Sequence, residues 1–300
     1  MIENIVVKVP ATSANMGPGF DCLGIALNVW NEVKATKGPF SIKVIGKGQD
    51  ELPTDDNNFV YKSFCKVFEK IGETVPEVIL ECTNGIPLTR GMGSSSAALI
   101  GGLMSGNAIA GFPLSAPEIL RMGAEIEKHP DNVAPALLGG VQIGIYDQGE
   151  LVTASVPFPE DINVVLYVPC QTMPTDQARN ILSPEIQRKD AIYNIGRAAL
   201  LVQCLMTGDL GNLKYATQDM LHQPDRQKQF SPMKNIIRAA MASGALGAFL
   251  SGAGSSIMAL TKGREYTIGY EMADAAMKSG LDGEIVFTSP TARGAYIEKD

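Results

Sequence analysis

The stretch PLTRGMGSSSAA spans Pro87 to Ala98, and its reading decides the fold. It sets Gly91 and Gly93 one residue apart, then Ser94, Ser95 and Ser96, then two alanines. A short apolar run at 78–82 precedes it, and a run rich in Ala, Leu, Ile and Gly at 94–110 follows it. The stretch therefore joins a strand to a buried helix. Glycines permit positive φ and close approach of the backbone. Free N–H groups at a helix N-terminus attract phosphate through oriented donors and the helix dipole. Serine hydroxyls can donate to phosphate oxygens or ligate Mg²⁺. The ordinary alternative is a tight turn before a helix capped by Ser94 or Ser95. Local composition leaves both open. It does exclude a Walker A loop, because no Gly-Lys-Ser/Thr follows. Nor is it a Rossmann fingerprint, since Ser96 stands where the third glycine belongs.

The whole chain narrows the choice. Its 300 residues are 45% apolar and 19% charged, an ordinary globular composition with length enough for one large or two medium domains. The formal net charge of −7 argues against nucleic acid as a partner. Five scattered cysteines form no Cys-x-x-Cys pair, which points to a reducing compartment and away from a disulfide framework. No apolar run reaches the roughly 18 residues of a membrane span. The start MIENIVVKVP lacks a basic segment followed by an apolar core, so no secretory leader is expected. A cytoplasmic location follows. With only His129 and His222, a multi-histidine metal site is excluded, and no Gly-x-Ser-x-Gly elbow exists for a hydrolase.

Hydrophobic periodicity predicts an α+β chain in two halves, 1–157 and 158–300, divided near the turn-like PFPED. In the first half, strands are expected at 5–9, ended by Pro10, and at 24–33, 41–45, 78–82, 140–146 and 151–156. Helices are expected at 58–71, 94–110 and 115–128. In the second half, strands are expected at 162–168, 248–250, 256–260, 284–287 and 293–298. Helices are expected at 176–182, 184–206, 210–220, 231–242 and 266–278, with Arg226 in a polar loop. Two further small-residue loops accompany the opening stretch. One is 10–21, ATSANMGPGFD after Pro10; the other is SGAGSS within FLSGAGSSIMAL, 249–260. Three such loops suggest one shared concave site.

On these residues the chain resembles a known family. PLTRGMGSSSAA is similar to the phosphate-binding motif of the GHMP small-molecule kinases, and SGAGSSIMAL to their C-terminal glycine motif. VKVPATSANMGPGFDCLGIAL and HPDNVAPALLGG resemble the homoserine kinase branch specifically. The departures are mild. Met92 replaces the usual leucine, one serine extends the loop, and Ser255 and Ser256 stand where proline and threonine are frequent.

The resemblance implies a two-domain GHMP kinase fold: an N-terminal domain like ribosomal protein S5 domain 2 and a ferredoxin-like C-terminal domain, with the active site between them. It implies ATP and Mg²⁺, with L-homoserine as phosphoryl acceptor and a homodimer as a candidate assembly. Pro87, Leu88, Thr89, Arg90, Gly91, Met92, Gly93, Ser94, Ser95, Ser96 and Ala97 would wrap the ATP phosphates. Ser95 and Glu127 would hold Mg²⁺. Asp21, Glu127 and Asn132 would serve catalysis. Asn15, Asp21, His129, Thr175, Arg179, Arg226 and Gly252 would hold the substrate. Each residue also has a plain reading: Asn15 in a turn, Asp21 as a cap, Glu127 as a solvated helix-end charge, Asp131 or Asn132 as an N-cap. For Arg179 the plain reading is a surface ion pair. A guanidinium's planar fork fits a carboxylate in bidentate fashion, which gives both arginines a reason in an amino-acid kinase. Some family members pair a catalytic aspartate with a lysine; here that junction reads HPDN, so no base is assigned.

Overall fold

A computed structural model describes residues 4–298. The chain runs β1 (Asn4–Ala14), β2 (Leu23–Lys37), β3 (Ser41–Gly46), α1 (Phe59–Ile71), β4 (Val78–Asn84), α2 (Ser94–Ile109), α3 (Ala116–Glu127), α4 (Val133–Leu138), β5 (Val141–Asp147) and β6 (Glu150–Val156). It continues through β7 (Asn163–Pro169), α5 (Thr175–Asn180), α6 (Arg188–Thr207), α7 (Leu213–Ala216), α8 (Gln223–Gln229) and α9 (Met233–Ala242). Last come β8 (Gly247–Leu250), β9 (Ile257–Thr261), α10 (Glu265–Lys278), β10 (Gly283–Thr288) and β11 (Tyr296–Ile297).

Two sheets organise these elements. One has seven strands, with β11-β1-β2-β4-β3 along its path and β5-β6 paired onto β2. The other is a four-stranded sheet in the order β10-β7-β9-β8. Its ladders are all antiparallel, and in the first sheet only β3 runs parallel to its neighbour, β4. The final strand returns to the first sheet, where Val7 pairs with Ile297.

Helix α2 is the spine of the first half. It is buried nearly all round, as an evenly apolar helix must be. Gly101 lies against Val33 of the sheet, and a Cβ on Gly102 would sit 2.3 Å from the Val60 carbonyl of α1. Those small residues let α2 pass between sheet and helix. Its neighbours begin where their sequences say. The Asn58 side chain caps α1 by accepting from the Val60 and Tyr61 N–H groups, and Ser115 with Glu118 forms a capping box on α3.

Several expectations were overturned. Pro10 does not end β1: the strand continues to Ala14 through an irregularity between Pro10 and Ala11, where a missing N–H costs no ladder bond. The expected helix at 210–220 breaks into a 3₁₀ turn and α7. Residues 223–229, read as a polar loop, are the helix α8, with Pro224 in its first turn where a proline fits. The strand expected at 293–298 shrinks to two residues. Among the described residues no helix is long and apolar enough to cross a membrane.

Candidate active site

The three glycine-bearing loops interlock. Gly252 N–H donates to the Ala14 carbonyl at 3.2 Å, Ser256 N–H to Arg90 O at 3.1 Å, and Ser251 Oγ to Gly91 O at 2.6 Å. The cavity they enclose measures about 310 Å³. Of the candidate residues with described side chains, all line it except Pro87 and Ala97. Ala97 is fully buried beneath the loop. Thr175 opens α5, and its side chain lies outside the described residues.

Helix α2 begins without a side-chain cap. Its N-cap is Gly93, in the left-handed region at φ +68°, so the alternative of a cap by Ser94 or Ser95 is wrong. The first intrahelical bond is Ala97 N–H to Gly93 O. The Ser94, Ser95 and Ser96 amides are therefore left as donors at the positive end of a 16-residue helix that faces the cavity. Free amides and the helix dipole attract anions at such a helix start.

The loop is held in this shape from outside. Thr12 is fully buried; its N–H donates to the Met92 carbonyl at 3.1 Å, and its Oγ1 donates to Asn132 Oδ1 at 2.8 Å. Asn132 precedes α4 but makes no cap bond, so its side chain serves Thr12 and the cavity instead. Arg90 turns away from the cradle. Its Nε, Nη1 and Nη2 donate to the carbonyls of Pro169, Leu88 and Cys170, stapling the loop to the end of β7.

Glu127 is a half-buried helix-end charge with a partner. It ends α3, and Ser95 Oγ donates to its Oε1 at 2.5 Å. Nearby, the His129 ring nitrogen Nδ1 lies 2.6 Å from Asp131 Oδ1. Burial pulls the His129 pKa down, but the hydrogen bond to Asp131 and its charge outweigh that and leave it raised.

The opposite wall carries charge of both signs. Asp21, at φ +58°, accepts a two-pronged bond from Arg179, at 2.7 and 3.0 Å. Asn15, at φ +68°, bridges the loops: its Nδ2 donates to Gly252 O and its Oδ1 accepts from Asp21 N–H. Backbone strain at two such non-glycine residues is tolerated where the surroundings over-determine it, typically at sites of function. Arg226 is 2% exposed, and its Nη1 donates to Gly252 O at 2.9 Å. Burial pushes its pKa down to about 10, with the Arg179 charge acting in the same direction. A second anion would relieve that guanidinium.

Sequence reasoning missed Thr12, whose only signal was its place in a loop already flagged. It also missed Val44, Leu52 and Val60, apolar residues that line the cavity together with Leu88 of the candidate loop. Those three come from separate segments, so no local motif marks them.

The chain matches the family GHMP kinases N terminal domain over residues 58–140 and the family GHMP kinases C terminal over 201–276. Fold and site together define a GHMP small-molecule kinase. It is 41% identical to homoserine kinase of Desulfitobacterium hafniense over 293 residues, covering 97% of this chain and 99% of that one. The homoserine kinase of Carboxydothermus hydrogenoformans is 39% identical, with 97% and 96% covered. A crystal structure of homoserine kinase from Cytophaga hutchinsonii superposes with a TM-score of 0.88 at 29% identity, covering 99% and 98%. Mevalonate diphosphate decarboxylase from Staphylococcus aureus, at 14% identity and a TM-score of 0.68 with 100% and 99% covered, shares the fold alone. The chain belongs to the homoserine kinase family.

Proposed function

We infer that this chain transfers the γ-phosphoryl group of ATP to the side-chain hydroxyl of L-homoserine, giving O-phospho-L-homoserine for threonine synthesis. One observation carries the mechanism: uncapped donors of α2, the Ser95–Glu127 pair and two guanidiniums face one cavity. Phosphoryl transfer asks for positioning and charge neutralisation more than for covalent chemistry. The α2 amides would hold the phosphates, and the apolar wall of Val44, Leu52, Val60 and Leu88 would receive the nucleoside base. Arg226 and Arg179 would take the amino-acid carboxylate, and Asp21 the ammonium. Asn132, fixed by Thr12, stands near the cradle as a hydrogen-bonding group for the reacting hydroxyl. No group is assigned as a base.

Mg²⁺ fits the donors present. Among the described residues no cluster of three His, Cys, Asp or Glu could cage a metal. Mg²⁺ needs none, since it keeps water and phosphate oxygens and takes one or two protein ligands. The Ser95 hydroxyl and Glu127 carboxylate would be those ligands, and the ion would neutralise charge on the transferring phosphates. Glu127→Gln keeps the shape and removes the anionic oxygen. The Mg²⁺ concentration for half-maximal rate should rise about tenfold or more. Identical Mg²⁺ titrations for mutant and wild type would leave Glu127 as a mere partner of Ser95.

The site separates this reading from two others. A kinase for mevalonate would use the carboxylate fork but has no ammonium for Asp21; a sugar kinase would use neither. A nucleotide-binding regulator would not turn over. ADP release measured with homoserine, mevalonate, galactose and shikimate distinguishes all of them. Turnover should be confined to homoserine; turnover of another acceptor, or of none, removes the assignment. The five cysteines are all free, which supports a cytoplasmic setting.

A further inference from the structure

His222 is fully buried in the second half of the chain, yet it reaches the loop that carries Asn15 and Asp21. Its ring makes two bonds of opposite sense. Nε2 lies 2.9 Å from the Gly17 carbonyl, which can only accept, so Nε2 carries the proton. Nδ1 lies 2.9 Å from Arg226 Nη1, which can only donate, so Nδ1 offers its lone pair. The two neighbours fix one neutral tautomer. Burial pushes the pKa of the ring down and outweighs the Asp219 carboxylate, whose Oδ2 lies 3.5 Å from Nε2, so the imidazolium that would break this arrangement is disfavoured.

The ring itself is held. Asp219 accepts from the N–H groups of Leu221, His222 and Gln223 and from Asn194 Nδ2, which fixes the turn leading into α8. Phe20 stacks on the imidazole at a centroid distance of 5.2 Å. The same ring faces both guanidiniums, with Arg226 Cζ 5.7 Å and Arg179 Cζ 5.8 Å from its centroid. Arg226 is thereby pinned at Nη1 by His222 and Gly252 O and at Nε by Ala178 O, at 3.4 Å. Its Nη2 has no hydrogen-bond partner among the described residues, and the side chain lines the cavity.

We propose that His222 is a positioning residue: its Nδ1 holds Arg226 so that Nη2 is presented to the substrate carboxylate, and its Nε2–H ties that guanidinium to the Gly17 loop. The proposal rests on the reading of Arg226 as a carboxylate ligand. His222 itself does not touch the substrate. It aligns the amino-acid site from a buried position one helical turn before the arginine.

Two near-isosteric replacements separate the two nitrogens. In His222→Asn, the side-chain oxygen stands near the place of Nδ1, so Arg226 keeps its acceptor. In His222→Gln, the amide reaches toward Gly17 but nothing accepts from Arg226. The Gln variant should raise KM for homoserine about tenfold, the Asn variant by less than about threefold, and KM for ATP should stay unchanged in both. The Gln variant should also lose most of the wild-type preference for homoserine over its carboxamide. Equal effects of Asn and Gln, or parallel rises in both KM values, would overturn the proposal. Arg226→Ala is the control. If it keeps the acid-over-amide preference, the carboxylate reading itself fails and His222 falls with it. If Arg226→Ala loses the preference while His222→Gln keeps it, only the present inference fails. A measurement on the unaltered protein stands apart from mutant folding: imidazole ¹⁵N shifts at neutral pH should report a neutral ring protonated on Nε2. An Nδ1-protonated or doubly protonated ring would sink the assignment.

Discussion

Replacing Gly93 with valine is expected to abolish ATP binding, raising Kd by at least about a hundredfold. Gly93 sits at φ +68°, where an L side chain costs about 1–2 kcal/mol and a β-branched one is a true outlier. Space is the larger obstacle. A Cβ there would lie 1.9 Å from Thr12 Oγ1 and 3.1 Å from Thr12 N. Thr12 cannot step aside cheaply, because it is buried and bonded to both Asn132 and the Met92 carbonyl. The start of α2 must shift instead, and its amides lose their aim. Two misdirected bonds to a charged phosphate, at about 1.5 kcal/mol each, account for a hundredfold loss. Gly111→Val is the matched control: φ is +89°, but nothing lies within 4 Å of its Cβ. It should cost stability and leave ATP affinity unchanged. Calorimetry on both, with circular dichroism to confirm folding, decides between these outcomes. A folded Gly93→Val protein that binds ATP like the wild type would mean that the loop does not hold the nucleotide.

The unit around the glycine-serine loop was legible because its cause is local. Glycines ahead of serines and an evenly apolar helix describe a strand–loop–helix unit from neighbours alone, and α2 begins at Ser94 as that pattern requires. Helix α3 was legible from its apolar periodicity, and Ser115 with Glu118 caps it where that pattern begins. Helix α8 was not. Its sequence QPDRQKQ is polar, its buried members include Arg226, and no apolar stripe marks it. A buried arginine looks in sequence like a surface one. The Arg179–Asp21 pair joins residues 158 positions apart, so neither has a local reason to meet the other. Arg90 shows a related limit: it lines the cavity as a member of the loop, while its guanidinium donates to the carbonyls of Pro169 and Cys170. The motifs named residues that mostly line one cavity, but they did not say which way each side chain turns.

The direction those side chains take refines what the arginines should do. Arg226→Ala is expected to lower kcat/KM for homoserine by about a hundredfold, and Arg179→Ala by nearer tenfold. A charge-assisted bond to a carboxylate contributes about 1.5–3 kcal/mol, and the upper end applies where water is excluded. Arg226 is almost wholly buried, whereas the Arg179 side chain is 37% exposed, so solvent screens it. Arg179 is also already engaged by Asp21. An incoming zwitterion can exchange with that pair: its ammonium takes Asp21 while its carboxylate takes a guanidinium, and the number of ion pairs does not fall. An acceptor with one charge cannot complete the exchange. The wild type should therefore use 4-hydroxybutyrate, which lacks the ammonium, and homoserine carboxamide, which lacks the carboxylate, much less well than homoserine. Lysine should rescue either position poorly, because a point charge lacks the fork. KM for ATP should hold in both alanine variants, since the α2 cradle lies elsewhere. Steady-state kinetics with the acid and the amide test this, with thermal unfolding to separate loss of fold from loss of contact. If both variants, still folded, prefer acid to amide as strongly as the wild type, another group binds the carboxylate and the exchange at Asp21 does not occur.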